Sequence, residues 1–134
     1  MIGVEALAYF AARLFTCGIW VSAGLHGAMH FKETAQGMAQ RGIPASRLAL
    51  AIVLAMEAVG MVLLLANVYV WAVCLAWGAF LIPASYIYHR KWVTPQGTFD
   101  MMQYVLFWKN VSMFGGLIAL ILLDPSRPAW LLRG

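Results

Sequence analysis

The chain has 134 residues, of which 63% are hydrophobic and only 10% are charged, and its mean hydropathy is +0.81. A soluble domain carries roughly 25% charged residues, and one of this size cannot bury so much apolar surface, so the composition excludes an ordinary soluble protein and indicates a membrane protein in contact with lipid. The net charge of +4 comes from scattered Lys and Arg residues without a basic stripe, which excludes nucleic acid as a partner.

Four apolar stretches are long enough to cross a bilayer, whose core of ~30 Å needs about 20 helical residues per pass. The first stretch lacks a basic segment before it and is interrupted by Arg13, so we expect a membrane helix rather than a cleaved signal peptide. The prediction is an all-α fold, an integral membrane four-helix bundle that forms a single transmembrane domain over residues 1–134. The passes are predicted near residues 5–28, 48–66, 68–88 and 102–123.

Residues that end helices set the boundaries between these passes. Residues 48–88 run almost without charge and as one helix would extend about 60 Å, twice the thickness of the bilayer core. Asn67 is the expected break, because Asn tolerates the left-handed conformation and tight turns. Asp124, followed by proline, is expected to end the fourth pass. Trp130 is expected to anchor the tail at the membrane interface.

Two polar stretches, residues 31–47 and 89–101, are expected to be loops on the same side of the membrane. They contain more basic residues than the side that holds the termini, where only Arg127 and Arg133 lie. By the positive-inside rule, both loops are cytoplasmic and both termini lie outside. The basic residues of the loops are Lys32, Arg41, Arg47, Arg90 and Lys91.

Three ionisable residues, Arg13, Glu57 and Lys109, fall well inside predicted passes. Each costs about 2.5–3.5 kcal/mol at a helix centre, so such residues usually face other helices and pair. Counting ~1.5 Å per residue places Glu57 in height between the two cations. We therefore predict a polar intramembrane cluster of Arg13, Glu57, Lys109 and Asn110, which either locks helix packing or takes part in chemistry. The alternative is that the two cations snorkel to the interfaces and Glu57 is protonated.

Small residues indicate the faces through which these helices touch. Cys17, Gly24 and Gly27 lie on nearly the same face of the first pass as Arg13, and Gly116 lies near the face of Lys109. Small residues let membrane helices approach closely. We therefore expect helix contacts at these positions.

Three histidines, His26, His30 and His89, lie near the loop side. His26 and His30 are one helical turn apart, and an imidazole pair at this spacing can bind Zn, Cu, Fe or a haem. No HExxH motif or matching carboxylate accompanies them. The alternative is that they are interfacial residues that form hydrogen bonds. The three histidines are a candidate metal site, and the residues alone assign no cofactor and no catalytic group.

Four stretches, in this order, resemble the DoxX family of small bacterial four-helix membrane proteins. They are ARLFTCGIWVSAGL with Arg13, MAQRGIP, ALAIVLAMEAVGMVLLL with Glu57, and FWKNVSMFGG with Lys109. One departure concerns a lysine that family members often carry in a G-x-K-like stretch after the first-pass glycine. This chain has His26 there, in GLHGAMH, so any role of that lysine does not carry over.

The resemblance implies a location and a class of function. The expected location is the bacterial cytoplasmic (inner) membrane, so the outer side that holds the termini is the periplasm. The family is named for a membrane subunit of a thiosulfate:quinone oxidoreductase. The implied function is therefore a membrane subunit of a redox system that passes electrons from a sulfur compound or partner protein toward a quinone, together with other membrane or redox subunits.

Two features of this expectation stay open. The sequence has no haem-attachment, Fe–S or dinucleotide motif, so any covalent redox cofactor is expected on a partner. The alternative function is a non-catalytic accessory or assembly subunit docked on a larger respiratory or photosynthetic complex. Whether the chain is itself an enzyme is not decided by its residues.

Overall fold

A computed structural model of the chain describes residues 3–132, in which no β-strand occurs. The helices are α1 (Val4–Met29), α2 (Phe31–Gln40), α3 (Ser46–Leu65), α4 (Val70–His89) and α5 (Met101–Leu123), followed by a short 3-10 helix, Ala129–Leu132. Four of them, α1, α3, α4 and α5, are long and apolar enough to cross a bilayer. The predicted all-α, four-helix membrane class is confirmed. Arg133, used above to infer orientation, lies outside the described residues.

The chain divides into two compact units, Met1–Tyr69 and Val70–Gly134. In the first unit, α1 and α2 pack against α3 and touch each other, and in the second, α4 packs against α5. The four long helices begin and end close to the predicted passes. That both units belong to a single transmembrane domain stays a prediction.

The first expected loop is largely a helix, α2, so the loop prediction is wrong over Phe31–Gln40. Ala35 and Met38 lie one turn apart and are buried, while Lys32 and Glu33 are exposed. This is the pattern of an amphipathic helix that packs one face on its neighbours. Only two of the ten residues of α2 are buried, so the polar composition of the segment favoured a loop over an amphipathic helix.

The end of α3 is a Schellman motif built on Asn67. This residue is left-handed with φ of 60°, and the next amide, of Val68, donates to the Leu63 carbonyl at 2.9 Å. Gly42 has the same place after α2, with φ of 81°. The prediction that Asn67 ends the second pass is therefore confirmed. The physical reason is that an asparagine adopts the left-handed conformation more readily than most residues.

Glycines bring helices together within each unit, but not at every predicted position. A Cβ at Gly27 would lie 3.2 Å from a leucine side chain of α3, and Gly24 is similarly close to that helix. By contrast, nothing in the second unit lies within 4 Å of a Cβ built at Gly116, so this glycine brings no helix close within that unit, and the contact expected there stays a prediction. In the second unit Gly78 has this role, because a Cβ there would lie 3.2 Å from the Phe114 ring.

Asp124 connects the start of α4 to the end of α5 in the second unit. It follows the last residue of α5, as predicted, and is only 2% exposed. One carboxylate oxygen accepts a hydrogen bond from the Trp71 amide at 2.9 Å, in the first turn of α4. The other accepts from the amide and the hydroxyl of Ser126, both at 2.8 Å. The first amides of a helix have no acceptor within the helix, so a carboxylate there stabilises α4 and fixes it antiparallel to α5.

The segment between α4 and α5 is a compact turn. Gly97 is left-handed with φ of 81°, and Val93 pairs with Phe99 in an isolated bridge. Asp100 caps α5 by accepting from the Gln103 amide at 3.1 Å. These contacts hold the connection between the two helices in one conformation.

Candidate functional site

Arg13 is buried on α1 and caps the end of α3. Its Nη1 donates to the Leu64 carbonyl at 2.9 Å and to the Leu65 carbonyl at 3.4 Å. The guanidinium lies 4.7 Å from the centre of the Tyr9 ring and 5.7 Å from that of Phe10. The last carbonyls of a helix have no partner within the helix and carry the negative end of its dipole, so a cation here is stabilised without a carboxylate, even though the Leu64 carbonyl also accepts from the Asn67 amide at 3.2 Å.

Glu57 lies on α3 and is 5% exposed. Its Oε2 has no hydrogen-bond partner among residues 3–132. A Cβ at Gly24 would lie 2.9 Å from this oxygen, so a larger residue there would move the carboxyl group from its present position against α1. An unsatisfied buried polar group costs about 1–3 kcal/mol, and an unpaired buried charge costs more.

The predicted cluster of four residues is divided between the two units. Arg13 and Glu57 lie in the first unit, and no ion pair joins them in the described part of the chain, because Arg13 is bonded to carbonyls instead. Lys109 and Asn110 are neighbours on α5 in the second unit, where Lys109 is half-buried and Asn110 is buried. That the four residues form one cluster stays a prediction.

Asn110 forms a polar contact between the two helices of the second unit. Its side-chain Nδ2 donates to the Ser85 hydroxyl at 3.0 Å, and that hydroxyl donates to the Leu81 carbonyl at 2.7 Å. Asn110 is only 7% exposed. An amide nitrogen carries two protons, and Ser85 accepts one of them, so the second remains able to donate to another acceptor.

A cavity of about 330 Å³ opens beside this contact, between α4 and α5. Its walls are aliphatic and aromatic except for Asn110 and Ser85 in its lining and Arg90, whose guanidinium lies 4.2 Å from the centre of the Tyr86 ring. A largely apolar pocket with few polar groups is the usual form of a small-molecule site. The apolar lining consists of Leu81, Ile82, Tyr86, Phe107, Val111 and Phe114.

The three histidines have separate local partners. The rings of His26 and His30 are stacked with centroids 4.5 Å apart, and Nδ1 of His30 lies 3.2 Å from the His26 carbonyl oxygen. His89, in the second unit, pairs through Nδ1 with the Gln103 side-chain oxygen at 2.8 Å. Within residues 3–132, no three His, Cys, Asp or Glu side chains are placed to hold a metal ion. Metal binding by the histidines stays a prediction.

Sequence reasoning missed Ser85 and Arg90 as members of a site. A serine in a membrane helix that bonds the carbonyl four residues earlier is common and gives no signal of its own. In the sequence, Arg90 is one of several basic residues in the predicted loops, so nothing distinguishes it as a site residue. The available signal was a spacing of four residues: Ile82 and Tyr86 share a face of α4, and Arg90 follows four residues later, just after the helix ends.

Comparison with protein families agrees with this architecture, since residues 8–90 match the model of the DoxX family. The chain belongs to the DoxX family. The match covers well over half of the chain and includes Arg13 and Glu57, while Lys109 and Asn110 lie beyond it. No curated protein and no solved structure matches this DoxX protein. Family membership shows a multi-pass membrane protein, which contacts lipid.

Proposed function

We propose that this DoxX protein is a membrane subunit of a redox system and that the cavity between α4 and α5 binds a quinone. The observation that carries the proposal is the cavity itself, whose aliphatic and aromatic lining includes the buried Asn110 beside its hydrogen bond to Ser85. A quinone ring is flat and apolar on its faces and carries carbonyl acceptors at its edge. The aromatic rings of Phe107 and Phe114 suit the faces, and the amide suits a carbonyl.

Ser85 and Asn110 have different roles in binding the quinone. Ser85 fixes the Asn110 amide by accepting one of its protons, because the serine's own proton is held by the Leu81 carbonyl. Asn110 then donates to the quinone carbonyl, and the apolar walls exclude water. Reduction of a quinone to a quinol takes up two electrons and two protons. We place the electron source, a reduced sulfur compound that is oxidised in the process, on a partner subunit.

Binding of decylubiquinone to the purified protein in detergent micelles tests the proposal, with quenching of tryptophan fluorescence as the signal. Asn110→Leu keeps a similar volume and removes the donor, so we expect about tenfold weaker binding, the loss of one buried hydrogen bond of ~1.4 kcal/mol. Ser85→Ala frees the amide to rotate, and we expect a smaller loss, about threefold.

Ser112→Ala is the matched control, because Ser112 forms the same type of bond, to the Trp108 carbonyl at 3.0 Å, but is exposed and outside the cavity. It should bind the quinone like the wild type. Equal affinity of the wild type and the Asn110→Leu variant would refute the site. Unchanged helical circular dichroism separates lost binding from lost folding.

The alternative is a non-catalytic accessory subunit that docks on a larger respiratory or photosynthetic complex. In that case the protein co-purifies with the complex, and the turnover of the complex is the same with wild-type and Asn110→Leu subunits. We favour the quinone-linked function, because the polar contact and the cavity occur together on one helix pair.

We also propose the orientation in the bacterial inner membrane that the charge bias predicts. Both termini are periplasmic, and the segments around α2 and between α4 and α5 are cytoplasmic. Lys32 and Arg41 are exposed in the first of these segments, and Arg90 and Lys91 in the second, on the side where anionic headgroups attract basic residues.

A further inference from the structure

Two buried carboxyl groups of this chain have opposite surroundings. Asp124 receives three hydrogen bonds, from the Trp71 amide and from the amide and hydroxyl of Ser126. Glu57 is nearly as buried, yet its Oε2 receives none from residues 3–132. A carboxylate that keeps its charge in an apolar interior needs donors or a cation, as Asp124 has. Glu57 lacks them at this oxygen.

Among the described residues of the first unit, α1 and α2 pack on α3 and place no charged side chain against the Glu57 carboxyl group. On α1, the residue against the carboxyl group is Gly24, which has no side chain, and the cation of that helix, Arg13, is bonded to the Leu64 carbonyl at the end of α3. On α2, the charged side chains of Lys32 and Glu33 are exposed. Glu57 also lies well inside a membrane-spanning helix, eleven residues after Ser46 and eight before Leu65, so its carboxylate gains little from water.

We propose that Glu57 is a proton-binding site within the membrane, held as a neutral carboxylic acid in the slot that Gly24 leaves open. The acid exchanges its proton with a proton of solvent water, and the exchange breaks and forms only bonds between oxygen and hydrogen. The ligand is therefore the proton. This site uses residues of α1 and α3 only, so it does not depend on the quinone cavity.

Infrared spectroscopy of the protein in lipid nanodiscs tests this at neutral pH. A protonated carboxyl group gives a carbonyl band that an ionised one lacks. We expect one such band, and we expect it to move when glutamate is labelled with ¹³C, which distinguishes Glu57 from Asp124. Transfer to D₂O should move the band as well, because an exchangeable proton is replaced by deuterium. This measurement uses the wild-type chain, so it does not depend on the folding of any variant.

Variants assign the band to one residue. Glu57→Gln should abolish it, whereas Glu33→Gln, at an exposed glutamate of α2, should leave it unchanged. Absence of a glutamate acid band in the wild type at neutral pH would overturn the proposal. If the band were then to appear in Lys109→Met, Glu57 would be an ionised partner of Lys109, as in the predicted cluster. A band that persists but never shifts in D₂O would overturn the exchange of the proton.

Discussion

Replacing Asp124 by Asn tests how the second unit is held together. The change keeps the shape of the side chain but removes its charge and turns one acceptor oxygen into an NH₂ group. The wild-type carboxylate accepts from the Trp71 amide on one oxygen and from two groups of Ser126 on the other. If the remaining oxygen faces Ser126, the Trp71 amide meets a second donor and loses its partner.

The magnitude follows from these contacts. A hydrogen bond to a charged group contributes about 1.5–3 kcal/mol, and a buried donor left without an acceptor adds to the loss. We therefore expect Asp124→Asn to lower the free energy of unfolding by about 2–4 kcal/mol. This is a large part of the ~5–15 kcal/mol that stabilises a typical domain.

The assay is unfolding in mixed micelles with increasing sodium dodecyl sulfate, followed by far-ultraviolet circular dichroism. Asp100→Asn is the matched control, because Asp100 caps α5 through a single bond to the Gln103 amide and is partly exposed. Asn caps helices about as well as Asp, so we expect a loss below ~0.5 kcal/mol there. Equal stability of the two variants would refute the role assigned to Asp124.

Two other results are expected. Arg13→Met should destabilise the protein by about 1.5–3 kcal/mol in the same assay, because the carbonyls at the end of α3 lose a charged donor. Arg13→Lys keeps a charged donor and should therefore lose less stability. A Met variant as stable as the wild type would contradict the capping role. To test the orientation, a membrane-impermeant maleimide should label Gly3→Cys but not Gln96→Cys in spheroplasts. Both positions are exposed, and the native cysteines are buried, so only the introduced thiol should react. The reverse labelling pattern would contradict periplasmic termini.

The membrane-spanning helices could be predicted because lipid imposes a simple rule on sequence. A pass needs about 20 apolar residues, and such runs are visible directly. The end of α3 was also predictable, since Asn67 is one of the few residue types that adopts the left-handed conformation without a large penalty. Likewise, the proline after Asp124 cannot continue a helix in the ordinary way.

The partners of the polar residues could not be predicted in the same way. Arg13 suggested a carboxylate partner, but its partner is the backbone carbonyl of Leu64, which no residue type reveals. Every helix end has such carbonyls, so their selection depends on how α1 lies against α3. Ser85 was missed for a related reason, since its role depends on Asn110, which is twenty-five residues away in sequence.

The position of Asp124 also bears on how the membrane inserts this chain. The ribosome makes α4 first, and its Trp71 amide has to wait for an acceptor that lies 53 residues later. The residue that ties the start of α4 to the end of α5 is therefore synthesised only after α5 is complete. A chain that stalls before Asp124, or inserts α5 incorrectly, leaves the Trp71 amide without this acceptor. The carboxylate that stabilises the pair of α4 and α5 is therefore available only when both helices have been synthesised.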